Sequence, residues 1–179
     1  MDASEHFDTY RAAWPERAPN LPPGASDDER REMTTLDGRC VLACGDPGTT
    51  VPEVPFQLGD RFSPNEIALW LVLAKAVVYA QESGAWGAAR ERGRLAHTNL
   101  SGGRAAHVGG EVVFHDGFVL LNGGSSRYRA RTREELRMAT EAWANAGYHV
   151  FCMGWDEVGP ARTWAANNTW TILALRNEP

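Results

Sequence analysis

The residues best suited to chemistry in this 179-residue sequence lie between positions 94 and 157. His97, Tyr128 and the carboxylates Glu111 and Glu157 are of the types that transfer protons, stack on a ligand ring or stabilise developing positive charge. We predict these four as candidate catalytic residues of one pocket. The sequence leaves open whether Glu111 or Glu157 belongs to it. The alternative is that the same side chains form a structural hydrogen-bond network.

Two segments rich in glycine and serine favour the binding of an anion. They read HTNLSGG from residue 97 and NGGSSRYRAR from residue 122. Glycines let a ligand approach backbone amides closely, and arginines bind phosphate or carboxylate by forked hydrogen bonds. In an extended second segment the three arginines would share one face, although a solvated edge strand would show the same alternation. The predicted ligand-binding residues are Thr98, Asn99, Gly102, Gly103, Ser125, Ser126, Arg127 and Arg129.

Several common catalytic classes are excluded by motif. The chain has no Gly-x-Ser-x-Gly, no His-Glu-x-x-His and no dinucleotide-binding glycine fingerprint. His107, Glu111 and His115 are spaced four apart, but strand-like residues surround them, and residues four apart on a strand lie far from one another. We therefore predict no metal site.

Three short stretches resemble a scattered family that includes plant IQ-motif calmodulin-binding proteins and uncharacterised bacterial and fungal proteins. The stretches are GRLAHTNLSGG from residue 93, GGE from residue 109 and SSRY from residue 125. The family pattern is H-S-S-F-L-x-G-G, then A-G-E or A-G-R, then S-G-H-Y. The chain departs from it at residues 98–99 and 126–127, and it has no IQ motif, so calmodulin binding does not carry over. The resemblance implies that one site contains His97, Gly102, Gly103, Glu111 and Tyr128.

The order of His97-Thr98, Tyr128 and Glu157 is similar to that in ADP-ribosyltransferase domains of the His-Tyr-Glu kind. Those domains are small α+β folds that bind NAD and stack a tyrosine on the nicotinamide. The similarity implies NAD as the cofactor. We therefore expect a small bacterial ligand-binding enzyme acting on a phosphate- or carboxylate-bearing molecule, with an NAD-dependent ADP-ribosyl transfer as its most concrete version. The alternative is a non-catalytic protein-interaction or ligand-binding module.

Composition and charge indicate which partners and which cellular compartment the sequence predicts. The net charge of -5 gives no overall attraction to nucleic acid or to an anionic membrane. Lys75 is the sole lysine among 18 basic residues, which is typical of a GC-rich bacterial genome. The start of the chain lacks the basic and apolar regions of a signal peptide, and the most apolar stretch is too short to span a bilayer. We predict a cytoplasmic protein whose cysteines, Cys40, Cys44 and Cys152, are small buried thiols.

Residues 1–35 contain several prolines and predict a flexible N-terminal arm, leaving residues 36–179 as a single domain. The capping box Ser63-Pro64-Asn65-Glu66 precedes a long apolar run, which predicts a buried central helix over Pro64–Ser83. We expect Lys75 within it to reach the surface, because a lone buried ammonium is too costly.

The remaining elements are predicted to be short. Residues 27–33 favour a helical piece, and residues 36–44 a turn and a strand. Residues 94–98 favour a strand, and residues 111–121 a hairpin around His115-Asp116-Gly117. A second capping box, Thr132 to Glu135, starts a helix that Gly147 ends. Strands follow over residues 148–153 and 169–175. The predicted fold is a single α+β domain with a mainly antiparallel twisted sheet packed on the central helix.

Overall fold

A computed structural model describes residues 7–42, 67–115, 118–152, 154–155, 159–160 and 173–174. The helices are α1 Asp8–Ala13, α2 Asp27–Arg30, α3 Ala85–Ala88, α4 His97–Ser101 and α5 Arg133–Asn145. The strands are β1 Cys40–Val41, β2 Ile67–Val72, β3 Val77–Gln81, β4 Gly109–His115, β5 Phe118–Leu121, β6 His149–Cys152 and β7 Leu173–Ala174. They form a seven-stranded sheet in the order β1-β3-β2-β4-β5-β6-β7. Every described pair is antiparallel except β5 with β6, so the predicted α+β class is confirmed.

The predicted helix over Pro64–Ser83 is wrong from Ile67 onward. Residues 67–72 and 77–81 are instead β2 and β3, joined in an antiparallel hairpin. Both faces of β2 are buried, and such a strand shows the same continuous apolar run as a buried helix. Lys75 does reach the surface, but it does so in the hairpin turn. The capping box at residues 63–66 lies outside the described residues.

Helices cover both faces of the sheet. On one face α5 and α1 bury a core that contains Trp70, Trp143 and Phe7. The Trp70 and Trp143 rings meet edge to face at 5.8 Å between centroids. On the other face Leu100 of α4 and Met33 of the N-terminal segment form a second buried cluster with Leu71 of β2. The buried helix that the sheet packs on is therefore α5, whose Thr132 cap accepts a hydrogen bond from the Glu135 amide at 3.0 Å.

The predicted short elements agree with the structure except at one place. The hairpin of β4 and β5, the short helix α2 and the strand β6 form where they were expected, and the Asp116-Gly117 turn lies outside the described residues. The final strand is described only at Leu173–Ala174. The predicted strand at residues 94–98 is wrong, because α4 begins at His97. The Asn99 side chain caps this helix by accepting from the Ala96 amide at 2.9 Å, a local hydrogen bond that competes with strand pairing.

The N-terminal segment is packed, although its composition predicted a loosely docked arm. Phe7 and Tyr10 are fully buried against α5. The Asn99 amide donates to three carbonyl oxygens around α2, and Ala106 pairs with the backbone of Arg17. These contacts join residues far apart in sequence, so local composition cannot reveal them. The flexibility of the arm stays a prediction.

Two smaller expectations can be compared with the described residues. Cys152 is buried as predicted, whereas Cys40 is exposed because it lies on the edge strand β1, and Cys44 lies outside the described residues. In the part of the chain that the structure describes, no helix has the length and apolar character that crossing a bilayer requires.

Candidate functional site

The sheet places two carboxylates beside one cavity. Leu69 at the centre of β2 pairs with Ala80 on one side and with Glu111 on the other. Glu82 follows Ala80 by two residues and so shares its face of the sheet. Above this face lies a cavity of about 220 Å³, which we call the carboxylate cavity. Its lining comprises Leu69, Glu82, Arg92, Arg94, Leu95, Ala96, His97, Glu111, Gly124, Ser126 and Arg127.

Glu111 is held by Asn122, the buried residue that follows β5. The Asn122 amide donates to Glu111 Oε2 at 2.9 Å, and its Oδ1 accepts from the Glu111 backbone amide at 2.9 Å. Burial raises the pKa of Glu111 to about 7; Glu82 raises it further, while the Asn122 hydrogen bond and Arg94 oppose the rise. Glu111 therefore exchanges a proton near neutral pH from a fixed position.

Glu82 is the second carboxylate of the cavity, and sequence reasoning missed it. Burial raises its pKa, and the nearby positive charges of Arg94 and Arg92 act in the opposite direction. Arg94 Nη1 lies 3.7 Å from Glu82 Oε1, with the Arg94 side chain 57% exposed. The face alternation of β3 was the signal that would have found Glu82, and it was hidden while residues 64–83 were interpreted as a helix.

His97 begins α4 and is buried beside β4. Its Nε2–H donates to the Gly110 carbonyl oxygen at 2.8 Å, which fixes the tautomer, and burial lowers its pKa to about 4. A Cβ atom on Gly109 would lie 2.9 Å from His97 Cδ2, so glycine at 109 allows this close approach. The ring is therefore a neutral hydrogen-bonding group at pH 7.

Replacing His97 with glutamine is expected to reduce the loss of folding stability that the parent protein shows as pH falls below 6.5. With a folded-state pKa near 4 and an unfolded value of 6.5, His97 binds its proton only in the unfolded chain between these pH values. The parent therefore loses stability as pH falls from 6.5 towards 4, by about 3 kcal/mol from this group. Urea unfolding of both proteins at pH 6.5, 5 and 4 measures the difference. Parallel profiles would contradict a neutral buried His97.

Three predicted site residues, Tyr128, Thr98 and Asn99, are buried and are not among the residues that line the carboxylate cavity. The Tyr128 hydroxyl donates to the Arg104 carbonyl oxygen at 2.7 Å and lies 2.7 Å from Ser101 Oγ. Its ring packs in the hydrophobic core beside α4. These residues match the alternative of a structural network, because no face of the Tyr128 ring is open to a ligand.

The segment after Asn122 is not a strand, so its arginines point in different directions. Arg127 turns to the buried Glu29, with Nε 2.5 Å from Oε1, and Arg131 turns to Glu135. Ser125 Oγ accepts from the amides of Arg127 and Tyr128 and so shapes the turn.

The remaining predicted site residues that the structure describes do not all lie together. Ser126 is exposed beside the carboxylate cavity, whereas Gly102 and Gly103 have positive φ angles at the end of α4 and face Glu32 and Arg30. Glu157 lies outside the described residues. No group of three or more His, Cys, Asp or Glu side chains in the described ranges is arranged to hold a metal ion.

A second cavity, of about 310 Å³, lies on the other side of the Ser126-Arg127 turn. We call it the arginine cavity. Its lining comprises Arg17, Ala18, Asn20, Ser126, Arg127 and Arg129, so predicted ligand-binding residues meet the N-terminal segment here. Sequence reasoning missed Arg17 and Asn20, because both belong to the segment that was predicted to be an arm.

Comparison with known proteins adds no relative: no family model, no curated protein and no solved structure matches this chain.

Proposed function

We propose that this protein is an enzyme that binds a small phosphate- or carboxylate-bearing molecule in the carboxylate cavity and transfers a proton with Glu111. The observation that carries the proposal is a partly buried carboxyl group whose pKa is raised to about 7 inside a cavity. An acid or base works best when its pKa lies near the working pH, because both protonation states are then populated. Perturbed carboxyl groups in clefts are concentrated at functional sites.

The neighbouring side chains have complementary roles in this proposal. Glu82, on the other side of β2, is the second carboxyl group of the proposed site. When Glu82 is charged, it raises the pKa of Glu111 and so helps keep Glu111 protonated. Arg92 and Arg94 are about half exposed at the cavity and attract an anionic substrate. Neutral His97 holds the backbone before Glu111 by its bond to Gly110. Asn122 aims the carboxyl group.

The ADP-ribosyl transfer implied by the sequence similarity is not part of this proposal. That chemistry uses a tyrosine ring stacked on the nicotinamide of NAD, and the ring of Tyr128 is covered on all sides. Its hydroxyl is also engaged with Arg104 and Ser101. The geometry supports a proton-transfer site without assigning a cofactor.

A paired binding and turnover screen tests the proposal. The parent, Glu111→Gln and Glu134→Gln would be screened for thermal stabilisation by sugar phosphates, nucleotides and small carboxylic acids, with conversion followed by NMR. We expect Glu111→Gln to bind the same compounds but to convert them at least about 100-fold more slowly, since acid-base groups contribute 10²–10⁴-fold. The exposed Glu134 has no contact with the cavity, so its variant matches the parent. Conversion by Glu111→Gln at the parental rate would exclude the proposed role.

The same screen decides between an enzyme and a binding module. If a compound stabilises the parent and changes the NMR signals of the cavity residues, but is never converted, the protein is a ligand-binding module. The partly buried Glu111 would then select the protonation state of the ligand. A flat response to the whole panel would remove both alternatives and favour a protein-interaction module.

Glu111→Gln is also expected to stabilise the folded protein above neutral pH. Because the pKa of Glu111 rises from 4.5 to about 7 on folding, the folded state holds a proton that the unfolded chain has released between these values. The parent therefore loses stability as pH rises from 4.5 to 7, by about 3 kcal/mol, and its stability stays lower above pH 7. Glutamine keeps an oxygen for Asn122 and carries no charge. Melting curves at pH 4.5 and 8 check this, and an equal difference at both pH values would contradict the raised pKa.

A further inference from the structure

The arginine cavity collects positive charge without an acidic side chain among its described lining residues. Arg17, Arg127 and Arg129 line it, and its other lining residues are Ala18, Asn20 and Ser126. Asn20 and Ser126 are exposed, so polar groups that can donate hydrogen bonds stand at its rim. The site is therefore shaped and charged for an anion rather than for a cation.

The ion pairs of Arg17 and Arg127 cancel only part of the positive charge of these two side chains. Glu29 is shared by Arg127 and Arg92, and Glu135 is shared by Arg131 and Arg17. Each buried carboxylate thus pairs with two guanidinium groups, and neither Glu29 nor Glu135 is among the residues that line the arginine cavity. Burial lowers the pKa of Arg17, and Arg131 acts in the same direction while Glu135 opposes the shift, so the charge of Arg17 is only partly compensated. A bound anion compensates that charge further.

We infer that the arginine cavity is a phosphate subsite and that it holds the phosphate group of a phosphomonoester substrate. Because Glu29 and Glu135 are each shared by two arginines, they leave an excess of positive charge. This excess suits a doubly charged phosphate better than the singly charged carboxylate of a ligand. The tetrahedral phosphate offers acceptors in several directions, which matches arginine, asparagine and serine donors around a concave site.

The position of this subsite fits the proposed function. Ser126 and Arg127 line both cavities, so the arginine cavity adjoins the carboxylate cavity across a single turn. A ligand anchored by its phosphate would extend its organic part over Ser126 towards Glu111. The placement of the ligand's organic part beside Glu111 rests on the proposed function. The phosphate subsite itself does not depend on that function.

Asn20→Asp is the informative variant, because Arg17 has buried contacts with the Arg129 carbonyl oxygen and with Glu135 and its loss would disturb folding. Asn20 is exposed, and its replacement is nearly isosteric and adds one negative charge to the rim. Asn145→Asp makes the same change at the far end of α5, an exposed site about 18 Å along the helix from its start. It is the matched control for net charge.

The experiment is a titration with inorganic phosphate, followed by the backbone amide and arginine Nε signals in NMR at about 0.15 M salt, where long-range charge effects are screened. We expect saturable shifts at Asn20, Ser126 and Arg17. Phosphate affinity falls roughly tenfold in Asn20→Asp, from like-charge repulsion at short range. It stays within twofold of the parent in Asn145→Asp. Acetate, with a single charge, binds at least about tenfold more weakly than phosphate.

The outcomes separate the inference from the proposed function. Equal phosphate affinity in Asn20→Asp and Asn145→Asp, or shifts scattered away from the arginine cavity, overturns the subsite. Equal binding of acetate and phosphate overturns the assignment to phosphate. Binding that behaves as expected while Glu111→Gln retains full turnover leaves the subsite standing and removes only the proposed role of Glu111.

Discussion

Replacing Glu135 with glutamine is expected to lower the free energy of unfolding by about 3 kcal/mol, because breaking a buried ion pair from one side leaves the partner charges uncompensated. Glu135 is fully buried at the start of α5. Its carboxylate accepts from the Tyr10 hydroxyl at 3.0 Å and from Arg131 Nη2 at 2.8 Å. It also accepts from the Arg131 backbone amide, and Arg17 Nη1 lies 4.0 Å away.

A glutamine cannot satisfy this set of donors. It offers one acceptor oxygen, and its own NH₂ group would face groups that donate hydrogen bonds. The loss reaches beyond α5, since Tyr10 and Arg17 belong to the N-terminal segment and Glu135 fastens that segment to the helix. We therefore expect the variant to lose protection of residues 7–20 from proteolysis together with global stability.

Glu134→Gln is the matched control for this prediction. Glu134 is the neighbouring residue, exposed and paired with Arg137 on the helix surface, where solvent screening leaves such pairs with little effect on stability. Urea unfolding at pH 7 compares the two variants. If both lose less than about 1 kcal/mol, the buried Glu135 network does not hold the arm.

Glu135 also shows what the sequence could and could not reveal. The capping box from Thr132 predicted where α5 starts, because capping depends on residues three apart. The partners of the Glu135 carboxylate include Tyr10 and Arg17, more than a hundred residues away. Local pattern carries no information about such pairing, so the proline-rich composition of the segment predicted an arm.

The mistaken helix at Pro64–Ser83 has a different cause. A strand buried on both faces has no polar alternation, so the period of two that identifies strands is absent from residues 67–72. The preceding capping box then favoured a helix. The β-branched and aromatic residues from Val77 to Tyr79 were the better guide, since they suit strands.

The candidate site was partly accessible from sequence. His97, Glu111, Ser126 and Arg127 do line one cavity, although they were selected from separate segments. Tyr128 is buried and does not line the cavity, which residue type alone could not show. Glu82, Arg17 and Asn20 were missed, since their roles arise only when β3 and the N-terminal segment take their places. Glu157 stays a prediction.

Gly110→Ala is expected to destabilise the fold by about 3 kcal/mol or more, because the added methyl group has no space and meets rigid backbone. A Cβ atom at Gly110 would lie 1.8 Å from the Asn122 carbonyl oxygen and 2.7 Å from its carbonyl carbon. That carbonyl oxygen also accepts from Trp70 Nε1 at 3.1 Å, so it cannot move away without breaking a buried contact. Relief requires β4 to shift from the chain after β5.

The same substitution is expected to disable the site. The Gly110 carbonyl oxygen accepts the hydrogen bond that holds His97, and the Asn122 side chain donates the hydrogen bond that holds Glu111. Gly84→Ala is the control: its Cβ would meet nothing closer than 3.4 Å, and we expect a loss below about 1 kcal/mol for this helix-capping position. Urea unfolding followed by circular dichroism, with the ligand screen repeated on both variants, measures the two effects. Parental stability in Gly110→Ala would show that β4 and the Asn122 turn are not in contact as described, and the proposed acid-base site would lose the scaffold that positions Glu111.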